Sequence, residues 1–182
     1  GLTTTEASIR VRRAASVSNR PETDVDQTQT PEFKRWFGDS KVVDAEGKPL
    51  VVYHGTGADF QVFEIGRDTT AFIDGEETIT QRHGLFATSD KEFSKEFGDR
   101  SMSVYMTLSN PMDLRKVNVR EYELALMDHD STGFWGITPV PTRWSLFDGS
   151  NGERFVAAAR EAGYDGAIIT ERRGNKNFDA YV

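Results

Sequence analysis

The apolar residues of this chain fall in short runs, not long ones. Val42-Val43, Leu50-Val51-Val52-Tyr53, Leu85-Phe86-Ala87 and Ala167-Ile168-Ile169 each have Gly, Pro or Asp directly beside them, and Val104-Tyr105-Met106 is closed by Asn110-Pro111 a few residues on. Runs of this length with turn residues beside them read as strands. No regular alternation of strand and long helix links them, which argues against a doubly wound parallel sheet. An α+β domain is expected, with a split, mostly antiparallel sheet and flanking helices.

Residues 31–37 are expected to form the first helix. Thr30 suits the cap, Pro31 the first turn and Gly38 the stop, and Phe33, Trp36 and Phe37 share one face. Lys41–Val43 and Leu50–His54 read as a strand pair around the turn residues Asp44–Pro49. Residues 57–82 read as a long irregular loop anchored by Phe60, Phe63 and Phe72. Gly84–Thr88 is a strand, and Ser89 or Asp90 caps a helix over Lys91–Phe97. Strands are expected at Ser103–Leu108, Gly166–Thr170 and Phe178–Val182, with Met112–Leu114 resuming pairing after Asn110-Pro111. Helices are expected over residues 119–127 and 151–162.

Residues 1–29 are rich in Thr, Ser, Asp, Glu and Arg and poor in large apolar side chains. Such a segment buries too little to offset its ordering entropy and reads as a flexible linker or tail, with a short helix over residues 6–15. The domain proper is expected at 30–182. Its end at Val182 is expected to reflect removed C-terminal sequence, because a final strand rarely ends a domain.

The chain has 182 residues, no cysteine and a net charge of −7. Disulfides, thiolate nucleophiles and Cys-ligated zinc are therefore excluded. An acidic chain is a poor binder of phosphate backbones, so a macromolecular partner is expected to be protein sooner than nucleic acid. No apolar stretch is long enough to span a bilayer. His83 and His129 have no carboxylate at ligand spacing, and no metal is expected. The chain is expected to be a soluble monomer.

Two elements carry chemistry. Tyr53-His54-Gly55-Thr56 stands where a strand meets the long loop. A His there can offer a ring nitrogen to a hydroxyl, and a Gly beside it lets a flat ligand approach bare backbone; a strand-end His bonded only to its neighbours is the plainer reading. Gly84-Leu85-Phe86-Ala87-Thr88, followed by Ser94 and Phe97, places two aromatics that could bracket a ring, at ~0.5–1.5 kcal/mol per stacked pair. Core packing is the plainer reading here, and it is accepted for Phe93.

In this order the two elements resemble the ADP-ribosyltransferase superfamily, in particular its His-Tyr-Glu branch of diphtheria toxin and the poly(ADP-ribose) polymerases. Residues 31–40 leading into Tyr53-His54-Gly55-Thr56, with Leu108-Ser109-Asn110-Pro111 and Gly163-Tyr164-Asp165-Gly166 later, are similar to the ADP-ribosyltransferase domains of phage and mobile-element polyvalent proteins. The resemblance spans about residues 30–182. It implies NAD as co-substrate, bound by Tyr53, His54, Gly55, Thr56, Gly84, Phe86, Ser94 and Phe97. His54 would hold the nicotinamide-side ribose. The Gly55 backbone and the Ser94 hydroxyl would hold the carboxamide, Phe86 and Phe97 would stack on the ring, and Thr56 would support the loop or the other ribose.

The branch also implies a catalytic Glu on the last strand. Phe178-Asp179-Ala180-Tyr181-Val182 fits that motif with Ala180 at the Glu position. Three accounts fit an alanine there: an introduced Glu→Ala change that inactivates a toxic enzyme, a natural alanine with Asp179, Glu171 or a residue beyond Val182 serving instead, or an inactive binder. The expected activity is mono-ADP-ribosylation by a phage or bacterial toxin or effector domain in the cytoplasm of a bacterial host or target cell. An NAD glycohydrolase and a non-catalytic NAD-binding domain are the alternatives. The pair Arg172-Arg173 could meet the NAD pyrophosphate or an acidic partner; exposed arginines that do neither are the plainer reading.

Overall fold

In the computed structural model, the residues described are 11–13, 26–58, 60, 63, 68–73, 76–115 and 146–182. The helix expected over 119–127 and His129 lie outside them.

A 3-10 turn at Gln27–Gln29 leads into α1, Pro31–Phe37. The Thr30 hydroxyl accepts from the Phe33 amide at 3.2 Å, so the predicted cap is made. Phe33 and Phe37 are buried, and Phe33 meets the Tyr105 ring edge-on at 4.9 Å. The turn at Asp44–Pro49 forms, but its two arms touch only at the bridge Val43↔Pro49. The second arm instead continues into β2, Val52–Thr56, which pairs elsewhere.

Nine strands are described. β1 is Val11–Arg13, β3 Asp68–Ile73, β4 Glu76–Gln81, β5 Ala87–Thr88, β6 Arg100–Met106, β7 Pro111–Asp113, β8 Gly166–Arg173 and β9 Lys176–Tyr181. Seven of them make one sheet in the order β1-β6-β2-β5-β9-β8-β7. Every neighbouring pair is antiparallel except β7–β8. The α+β class with a mostly antiparallel sheet is therefore present. β3 and β4 form a separate two-stranded sheet.

Two expectations are corrected. Residues 11–13 are strand, not helix, and Val11↔Met106 through Arg13↔Val104 add them to the edge of β6. A sheet edge offers unpaired amides and carbonyls along its whole length, and this outweighs the weak helical preference of a short segment. Residues 68–73 and 76–81 are paired antiparallel strands, not an irregular loop, registered from Asp68↔Gln81 to Ile73↔Glu76. The signal was in the sequence: Asp74-Gly75 between two β-prone runs is a hairpin turn pair.

Helix α2, Lys91–Ser94, and the 3-10 turn Lys95–Phe97 follow β5, and α3, Gly149–Glu161, precedes β8. Strand alternation sorts the core into two layers. Ala167, Ile169, Ala180 and Val182 face α3 with Met112, Phe147 and Phe155. Val52, Ala87, Ile168 and Tyr181 face the other way with Val42, Val104 and Leu108.

Candidate active site

β2 and β5 are in register at one pair only, Tyr53↔Thr88, while β2 stays paired with β6 from Val52 to Thr56. Beyond that pair the two strands part, and the sheet is split there. His54 stands at the parting. Its Nδ1 lies 2.7 Å from the Phe86 carbonyl oxygen. A carbonyl only accepts, so Nδ1 carries the proton and Nε2 keeps its lone pair. Burial pushes the His54 pKa below the ordinary histidine value, partly offset by the bond to Phe86. The ring is therefore neutral at pH 7. The rings of Phe63 and Phe60 meet it edge-on at 5.1 and 6.0 Å.

Gly55 explains how α2 fits. A Cβ at this position would fall on the Ser94 carbonyl oxygen and close to the Phe97 Cβ. Only glycine lets the helix lie that near the strand. Gly98, at φ 148, does the same one turn later, against the backbone of Thr56 and Gly57. The approach of bare backbone foreseen at Gly55 is thus taken on that side by α2 itself. Thr56 Oγ1 accepts from the Ala58 amide at 3.0 Å and holds the start of the loop. Tyr53 lies under Lys91, whose Nζ is 5.9 Å from its ring centre.

Other expected contacts are placed differently. Phe86 brings its backbone, not its ring, to His54. Its side chain packs with the core layer under α3, and its ring meets Phe147 edge-on at 5.5 Å, while Phe63, which meets His54, packs with the other layer. The His54 and Phe86 rings thus do not share one wall. A β-carbon on Gly84 would meet Val182, so its bare face is filled by the core. Ser94 is fully buried, and its hydroxyl donates to the Lys91 carbonyl at 2.7 Å and meets Ser101 Oγ at 2.6 Å. Both contacts tie α2 down. Phe97 is 44% exposed and meets Phe93 edge-on at 5.1 Å.

Ala180 is fully buried between Thr88 and Ile169. Asp179 points the other way and accepts from Arg115 Nη1 at 2.9 Å. Arg115 also donates through Nε to Asp113 Oδ1 at 2.8 Å, and its pKa is raised chiefly by Asp113 and next by Asp179. Glu171 is opposite Phe178 on β8. Arg173 reaches Asp90 Oδ1 at 3.5 Å, and Arg172 Nε donates to the Gly174 carbonyl. The His83 amide donates to the Phe147 carbonyl. Sequence reading passed over Arg82, Ser101, Arg115 and Asp148, because single charged or hydroxyl residues carry no spacing signal. Among the described residues no group of three or more His, Asp or Glu gathers as for a metal ion.

The model of ADP-ribosyltransferase domains in polyvalent proteins matches residues 44–182, well over half of the chain. The chain belongs to that family. No curated protein and no solved structure matches it significantly. An ADP-ribosyltransferase domain is a transferase, and ADP-ribosyltransferases use NAD as co-substrate. The domain's matched segment runs from the turn at Asp44 through the split between β2 and β5 to the last strand.

Proposed function

We propose that this chain binds NAD at the split between β2 and β5 and acts as a mono-ADP-ribosyltransferase of a phage or bacterial effector. The observation that carries the reading is His54: a neutral ring, its Nδ1–H spent on Phe86, with Nε2 left to accept from a hydroxyl. In this reading the nicotinamide-side ribose donates to Nε2. The nicotinamide lies by the Gly55 backbone and the partly exposed ring of Phe97. Phe86 contributes its carbonyl, while its ring stays packed against Phe147 and Arg82 and does not stack on the ligand.

In the reaction the ribose–nicotinamide bond breaks with its electron pair leaving on nicotinamide, and positive charge builds on the sugar as in glycoside hydrolysis. An acceptor nucleophile, expected on a protein of the host or target cell cytoplasm, then bonds to the ribose carbon and gives up its proton. A carboxylate near the sugar would stabilise that charge, and Ala180 supplies none. Asp179 is engaged by Arg115. Turnover by this sequence is therefore slow, and binding outlasts chemistry. The second reading, an NAD-binding domain without turnover, is favoured by the same buried Ala180.

Titration calorimetry with NAD on the chain and on His54→Ala tests the reading. A loss of about tenfold in affinity on removing one hydrogen-bond partner is expected. Equal affinity of the two would remove His54 from the site. Nicotinamide release with and without incorporation of label into protein then separates transfer, hydrolysis and mere binding.

A further inference from the structure

β5 consists of Ala87 and Thr88, so Phe86 lies one residue outside the ladder. Strand pairing does not fix the direction of its carbonyl, yet that carbonyl faces His54 Nδ1 at 2.7 Å. Something else must hold it. Just ahead, Arg82 and Asp148 form an isolated antiparallel bridge, and the next amide, of His83, donates to the Phe147 carbonyl at 2.8 Å. The side chains of the same two residues lock in a two-pronged ion pair. Arg82 Nε meets Asp148 Oδ1 at 2.8 Å and Nη2 meets Oδ2 at 3.2 Å. Both side chains are mostly buried, at 23% and 12% exposure.

The guanidinium of Arg82 stands 5.1 Å from the centre of the Phe86 ring, and Phe147, next to Asp148, meets the same ring edge-on. Phe86 is thus gripped by two neighbours whose chains are themselves joined. The grip needs arginine. Its planar fork can hold a carboxylate with two bonds and still lie over an aromatic ring, which a lysine cannot do.

We infer that Arg82 and Asp148 are positioning residues: they fix Phe86 so that its carbonyl holds His54 as the Nδ1–H tautomer and leaves Nε2 as the acceptor. Its consequence for NAD rests on the reading of His54 given above; its consequence for the imidazole does not.

Long-range proton–nitrogen NMR of the 15N-labelled full chain reads the tautomer directly, with His54→Ala assigning the His54 signals. The unaltered chain is expected to show Nδ1 protonated. Arg82→Lys and Asp148→Asn are expected to show both tautomers and to bind NAD about tenfold more weakly, the loss of one oriented hydrogen bond. Asp148→Glu keeps the fork and is expected to keep the original tautomer. If Arg82→Lys does not fold, Asp148→Asn, which keeps the size of the side chain, decides. Unchanged Nδ1–H in a folded variant lacking the ion pair overturns the inference. A shifted tautomer with unchanged NAD affinity upholds it and removes His54 from ribose binding.

Discussion

At the scale of single residues, the state of His54 sets a pH window. Its folded pKa lies below that of an unfolded histidine, with burial the first cause and the Phe86 carbonyl opposing it. A depressed histidine contributes stability that is present above the unfolded value of about 6.5 and is lost as pH falls below it toward the folded value. The same proton, landing on Nε2, removes the acceptor that the ribose hydroxyl needs. NAD affinity is therefore expected to be flat from pH 7 to 8 and to fall once the pH drops well below about 6.5. A binding series across that range checks it, and an affinity that rises on acidification would contradict a neutral acceptor. Asp90 behaves in the same direction lower on the scale. The Phe93 amide is the main cause that holds its carboxyl below the usual range, with Lys176 and Arg173 assisting, and burial opposes.

At the scale of elements, two motifs far apart in the sequence prove to be one joint. Asp165 accepts from the amides of Ser109 at 2.6 Å and Asn110 at 3.0 Å, and Asn110 Nδ2 donates to the Gly163 carbonyl at 3.0 Å. The loop after β6 and the end of α3 are thereby fastened to each other, which brings β7 alongside β8 in the parallel register Pro111↔Gly166. Gly166 has no room for a side chain, since a Cβ would meet the Val182 carbonyl and Leu108. Asp165→Ala should cost ~1–2 kcal/mol, the range for an exposed carboxylate losing two amide partners. A urea midpoint lowered by that free energy divided by the slope, with the slope unchanged, is the expected result. No shift would mean that water replaces the carboxylate without loss.

At the scale of the whole molecule, the described residues 26–43, ahead of the family match, pack into the core. Phe33 and Phe37 of α1 pack on Tyr105, and Val42 is fully buried with Val52 and Val104. The core also bears on the missing acid. Ala180 sits among Ile169, Val182 and Phe155, so a glutamate there must either desolvate its carboxyl or open the layer. Ala180→Glu is expected to lower stability by up to ~4 kcal/mol, the cost of a fully buried carboxyl whose pKa is raised by about three units. If the branch's glutamate belongs at this position, the same variant should raise nicotinamide release at least tenfold, within the ~10²–10³ that one such electrostatic contact is worth. Thermal melts and steady-state release on the two proteins measure both, and a destabilised variant with no gain in release would place the carboxylate elsewhere. What the sequence determined by itself was local. The cap and stop of α1, the turn at Asp44–Pro49, the places of β5, β8 and β9 and the family all follow from residue order and turn chemistry, because these depend on neighbours in the chain. Partners across the sheet were decided only in three dimensions. β1 adds to β6 because that edge is there to be paired. The Phe86 ring turns to Phe147, Ser94 closes on Ser101, and Asp179 meets Arg115, 64 positions away. These contacts join residues that no spacing rule connects, and the energy that selects them, apolar burial with buried polar groups paired, exists only once the layers have packed.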